Sequence, residues 1–309
     1  MGNIEFNQKE LLKEKFISIR DVPDWHYEPG TLMTEIGEKI KEFSILRTSE
    51  IVSLPQEVLD LRKNFEGKES KTFFNGPFVN VEAITDKNGE IIIETKETSL
   101  FDYIASDYYY RNNQSENPIR PLAVQATLFS PGGDRIIIER RSKALTDMPD
   151  KLTEFGGALK PGETDLIKAM QERLEKKWGL KIPREEIKPT GLARENVNNI
   201  YCACFAVELS EEIYKEAKER AKQAMRKKEK MFYEVSTDEA VKSIEKIFLG
   251  KRDVSQWEPL GYYNILYALA NRGLRKKEEI KELLDKAKNL ALKRPFEYTY
   301  PMEKYLRNE

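Results

Sequence analysis

The stretch GGALKPGETDLIKAMQERLEKKWGL, residues 156–180, decides how this chain of 309 residues is read. Two glycines and a Pro-Gly-Glu open it as a loop, and Glu163 falls where that loop meets a helix running from about Asp165 to Trp178. Leu166, Met170, Leu174 and Trp178 recur every fourth residue, which makes one apolar stripe for a core. Glu172 and Glu175 are three apart and share a helical face. Carboxylates converging from a loop and a helix bind hard divalent cations through oxygen, and such ions work beside substrate phosphates. The bland reading of the same helix is a solvated amphipathic surface, because Lys and Glu are common along the whole chain.

Strand-like segments surround this loop and helix. Upstream, PLAVQATLFSPGGDRIIIERRS reads as a hairpin turning at Pro131–Asp134. Downstream, KPTGLARENVNNIYCACFAVEL offers two strands, segment 210–230 a charge-dense helix, and MFYEVS another strand. Helices are expected at 237–248, 258–272 and 276–292. Nearer the N-terminus, FVNVEAITDKNGEIIIET folds back at Asn88-Gly89, a type I′ hairpin signal. TSLFDYIASDYYYR then has helical apolar spacing, and the polar, proline-bounded NNQSENPIRP (112–121) marks a boundary. In the first 70 residues only EVLDLRKNFEGKESK carries a helix signal. This order of elements predicts an α+β or layered α/β/α plan.

Composition narrows the chemistry. With 52 Lys+Arg against 53 Asp+Glu, no broad electrostatic grip on nucleic acid is expected. The one histidine, His26, sits between aromatics and prolines and is read as structural. Without a second histidine no HExxH site can be built, and no paired-cysteine zinc site can be assembled. Cys202 and Cys204, two apart in a strand, share a face and read as small buried thiols of a reducing compartment. No secretory signal pattern or apolar run of bilayer length is present, so a cytoplasmic protein without membrane partners is expected.

Residues 156–180 resemble the Nudix box, whose pattern is Gly, five residues, Glu, seven residues, then Arg-Glu-apolar-x-Glu-Glu-x-Gly-apolar. Gly157, Glu163 and Glu172 fall at the first Gly, the first Glu and the Glu of Arg-Glu, and Gly156, Gly162 and Gly179 fit as frame residues. Between Glu172 and Gly179 the chain is one residue longer than the pattern. Counted from the front, the Arg is replaced by Gln171 and the Glu pair reads Glu175-Lys176. Counted back from Gly179, the positions of the Glu pair read Lys176-Lys177, which abolishes the metal site. The front register is preferred because it keeps Glu163, Glu172 and Glu175 together.

The resemblance implies a Nudix-like α/β/α sandwich over 118–272, with an N-terminal α+β extension (1–115) and a helical tail (273–309). It implies divalent-metal-dependent hydrolysis of a nucleoside diphosphate linked to another moiety. Glu163, Glu172 and Glu175 would hold Mg²⁺ or Mn²⁺, with Glu172 and Glu175 as the catalytic pair. Arg140, Arg141 and Arg194 are the residues expected to meet the phosphates of a nucleotide-containing small molecule. The order of segments is loosely similar to the branch that hydrolyses UDP-glucose and UDP-galactose. The alternative implied by Lys176 is a catalytically impaired Nudix fold that binds or senses a nucleotide; an interaction scaffold presenting Tyr108, Tyr109 and Tyr110 is a third class.

Overall fold

The computed structural model describes residues 14–16, 30–67, 69, 75–113, 117–140, 152–195, 199–226, 231–248 and 259–291. His26 and Arg141 lie outside the described residues. The strands are β1 (Glu14–Phe16), β2 (Gly30–Leu32), β3 (Glu42–Ile51), β4 (Pro77–Lys87), β5 (Glu90–Ser99), β6 (Leu122–Phe129), β7 (Arg135–Arg140), β8 (Leu152–Thr153), β9 (Phe155–Ala158), β10 (Ile187–Glu195), β11 (Ile200–Glu208) and β12 (Met231–Ser236). The helices are α1 (Gln56–Arg62), α2 (Leu100–Asn112), α3 (Leu166–Trp178), α4 (Glu211–Arg226), α5 (Thr237–Phe248), α6 (Pro259–Asn271) and α7 (Lys277–Ala291). The fold is mixed α+β.

Two sheets organise the described residues. A four-stranded sheet in the order β1-β4-β5-β3 is built on the β4–β5 hairpin, whose turn at Asn88 and Gly89 has the positive φ values of 57° and 85° expected there. The eight-stranded sheet follows the order β12-β7-β6-β11-β10-β2, with β8 on β7 and β9 on β6. Its centre is a parallel pair, β6 and β11, in register from Leu122–Tyr201 to Phe129–Glu208. The sequences LAVQATLF and IYCACFAV are nearly continuous apolar runs, as strands covered on both faces must be.

Helices cover both faces. Leu122, Val124, Leu192 and Phe205 look toward α3 and α4, and part of the four-stranded sheet joins the same core through Val79, Val81, Ile91 and Ile93. Phe43 meets Phe205 edge-on at 5.6 Å. On the other face Ala123, Ala193, Cys202, Cys204 and Ala206 pack against α5, α6 and α7. Both cysteines are buried, on the one face that their spacing predicts. The result is an α/β/α sandwich.

One irregularity positions the candidate site. Strand β6 pairs with β9 from Ala123 to Ala126, then changes partner to β7 at Leu128 and Phe129. Between β8, held by β7, and β9, held by β6, the chain crosses this split at Glu154. Glu154 is 2% exposed there, and it accepts hydrogen bonds from the Thr127 hydroxyl at 2.9 Å and the Asn264 amide at 2.5 Å. Sequence reasoning gave no role to this buried carboxylate, because its partners lie 27 and 110 residues away.

A loop and helix locked by internal cations

Helix α3 starts where the sequence places it. Asp165 caps it, its side chain accepting from the Lys168 amide at 3.0 Å. Burial disfavours charge on this carboxyl. The Lys168 amide and the Arg184 guanidinium, 2.5 Å away, outweigh that and hold its pKa below the ordinary 3.8. Gly179 ends the helix in the left-handed conformation, φ 68°, and its amide donates to the Glu175 carbonyl at 2.7 Å. Leu166, Met170, Leu174 and Trp178 are all buried, and the Trp178 ring meets Phe155 edge-on at 5.0 Å. Each such side chain contributes about 2 kcal/mol of burial, so the apolar stripe fixes which face of α3 is left for chemistry.

The loop leading into α3 lies close against β6. A Cβ on Gly156 would sit 2.1 Å from the Val124 carbonyl oxygen, so only glycine fits. Gly162 makes a tight turn beyond it, in open surroundings. Glu163 folds back, and its carboxylate accepts from the Lys160 amide at 2.7 Å.

The helix does not present carboxylates to this loop. Arg173 is the residue that reaches it. Its guanidinium donates to the Ala158 carbonyl at 2.5 Å, to the Ala169 carbonyl at 2.7 Å, and to both oxygens of Glu163 at 2.8 and 3.4 Å. One turn later the Lys177 ammonium donates to the Gly156 carbonyl at 2.5 Å. A Cβ on Gly157 would lie 3.1 Å from that ammonium and 3.5 Å from the Arg173 Nε, so the two cations straddle this glycine.

The expected triad of carboxylates therefore does not assemble. Glu163 is committed to Arg173. Glu172 and Glu175 are more than half exposed and face Lys168 at 4.0 Å and Lys181 at 3.6 Å. Among the described residues no group of three His, Cys, Asp or Glu side chains is placed to hold a metal ion. The reason is helical phase. The apolar stripe must face the core, and this turns positions 173 and 177 toward the loop and 172 and 175 toward solvent. The register counted back from Gly179 is the one this geometry matches. It is Lys177, rather than Lys176, that enters the loop, while Lys176 is exposed. A divalent cation here would meet one carboxylate already neutralised and two fixed positive charges. These residues do not fit Mg²⁺ or Mn²⁺.

The arginines expected at the phosphates fall at one end of the large sheet but not together. Arg140 closes β7 and Arg194 nearly closes β10, both at the end where β6 begins and where Gly157 and Ala158 lie. Alternation sets Arg194 on the α3 face with Leu192, and Arg140 on the α6 face with Ile136 and Ile138. Arg194 is 4% exposed, its guanidinium 5.3 Å from the Tyr201 ring centroid. Tyr109 and Tyr110 meet each other edge-on at 5.2 Å and pack against the core beneath α2. Sequence reasoning met Lys177 only in the register it set aside, and gave Arg173 no part in the site. Their four-residue spacing on the flank of the apolar stripe was the available signal.

The layered sheet, with helices packed on both faces, defines an α/β/α sandwich. Among solved structures, the chain is similar to that of a MutT/nudix family protein from Enterococcus faecalis, with 14% identity and a TM-score of 0.27. That match covers 34% of this chain and 44% of the other, so less than half of the relative's length is spanned. No family model matches the sequence, and no curated protein matches it. At this level of similarity the fold rests on the strand order and packing of this chain itself. Among the described residues, no helix is long and apolar enough to cross a membrane.

Proposed function

We propose that this protein binds a phosphate-bearing small molecule, of the nucleotide class its loop-helix resemblance implies, without hydrolysing it. One observation carries the reading. The α3 face turned to loop 156–163 bears the Arg173 guanidinium and the Lys177 ammonium, where metal-dependent hydrolysis needs carboxylates. Lys176, exposed on the same helix, and Arg194, buried at the end of the sheet where Gly157 and Ala158 lie, are further cations of the kind that suit phosphate oxygens.

The second reading is divalent-metal-dependent hydrolysis of a nucleoside diphosphate derivative such as a UDP-sugar. One observation favours it. Glu172 and Glu175 are exposed, and their lysine contacts are long enough to leave carboxylate oxygens open.

Calorimetric titration with UMP, UDP and UDP-glucose, in EDTA and in Mg²⁺, tests both readings when paired with an assay for nucleoside monophosphate release. Saturable binding in EDTA with no release is the expected result. Mg²⁺-dependent release that is lost in Glu172→Gln would establish hydrolysis instead. Neither binding nor release would leave an interaction scaffold.

A further inference from the structure

We infer that Arg173 and Lys177 take the place of a bound divalent cation, so that the loop 156–163 is closed onto α3 by charges the chain itself carries. The inference deepens the non-hydrolytic reading and rests on the same loop, but its test uses no nucleotide, so either can fail without the other. Its starting point is the oxygen set. The carbonyls of Gly156 and Ala158 and the carboxylate of Glu163 all turn toward one face of the helix. Carbonyls together with a carboxylate are the donors a hard cation takes. Each of these three groups is instead met by a side-chain cation at 2.5, 2.5 and 2.8 Å.

The two cations divide the work. Arg173, whose side chain is only 11% exposed, holds the carboxylate and Ala158 and ties both to its own helix through Ala169. Lys177, one turn on and exposed, holds Gly156 at the start of the loop. Their combined charge is +2 against one carboxylate, the net attraction a divalent ion would give. Unlike an ion, these charges cannot leave. Neither a chelator nor the divalent-ion concentration then affects whether the loop is closed.

The experiment combines Mn²⁺ titration, followed by its electron paramagnetic resonance signal, with hydrogen exchange of the 156–163 amides in EDTA and in Mg²⁺. Wild-type protein is expected to show no saturable Mn²⁺ binding into the millimolar range, and the same loop protection in both buffers. Lys177→Met is expected to speed loop exchange roughly tenfold, since a charge-assisted hydrogen bond is lost. Lys177→Glu, which puts a carboxylate beside the Gly156 carbonyl, is expected to gain saturable Mn²⁺ binding. Lys177 is exposed, so neither variant should disturb the core, and circular dichroism is used to check that both fold. Wild-type Mn²⁺ binding that disappears on Glu163→Gln overturns the inference. So does a pair of Lys177 variants whose metal binding and loop exchange both match wild type.

Discussion

Helices α3 and α6 have thirteen residues each and lie on opposite faces of the same sheet, yet they are built on opposite principles. LIKAMQERLEKKW buries one stripe, half-buries its flank and exposes Lys168, Glu172, Glu175, Lys176 and Lys177. In PLGYYNILYALAN every residue from Gly261 to Ala270 is buried. An all-round apolar helix is a core element, and α6 behaves as one, with even Asn264 and the Tyr267 hydroxyl enclosed. The Tyr267 oxygen accepts from the Thr34 amide and hydroxyl at 3.2 and 3.1 Å and lies 2.7 and 2.8 Å from the carbonyls of Thr34 and Leu192. Burial pushes its phenol pKa up. Helix α3 touches loop 156–163 through the long side chains of Arg173 and Lys177 instead. The α6 face is thus closed by packing all round, whereas α3 keeps one flank for loop 156–163.

Substitutions can break or sharpen this contrast. The largest effect is expected for Leu266→Ala, whose side chain is fully buried. About 2–5 kcal/mol of stability should be lost, read as a lower denaturant midpoint at unchanged slope. Tyr267→Phe should follow at about 1–3 kcal/mol, because buried partners of its hydroxyl lose their hydrogen bonds. On α3, Asp165→Ala removes the cap and should cost about 1 kcal/mol at neutral pH. Since the folded pKa of Asp165 is depressed, its contribution is complete above the ordinary 3.8 and is lost as pH falls through the lower folded value. The gap between this variant and wild type should therefore close in acid melts. Smallest of all, Glu172→Gln and Glu175→Gln should move stability by less than about 0.5 kcal/mol, as exposed pairs usually do. If either costs as much as Tyr267→Phe, α3 is more than a carrier of exposed chemistry.

The elements with strong local codes were legible in the sequence. The Asn88-Gly89 hairpin, the helix from Asp165 to Trp178, the strands β6, β7, β10 and β11, and the helices expected at 237–248 and 258–272 all follow from turn residues and hydrophobic pattern, whereas the parallel pairing of β6 with β11 does not. Strand β3 and the incorporation of β2 into the large sheet were not legible, because their partners are β5 and β10, far along the chain. At the site, spacing placed the right loop against the right helix but misjudged its phase. Counting from Gly157 assigned Glu172 and Glu175 to the loop. The fourfold apolar stripe, read as a constraint on the opposite flank, would have assigned Arg173 and Lys177.

The Tyr267 hydroxyl also sets an order of assembly. It joins Thr34 to a helix 233 residues further on, while Leu192 donates its amide to the Thr34 hydroxyl and accepts from Met33. Closing so long a loop is entropically costly until the rest of the sheet exists. Synthesis delivers Tyr267 only after every strand of both sheets has been made. The segment that carries β2 is thus translated early and seated late. In pulsed hydrogen exchange during refolding, the amide of Met33 should gain protection after that of Val124 in the central strand. The first part of the large sheet to be made is then expected to close its edge last.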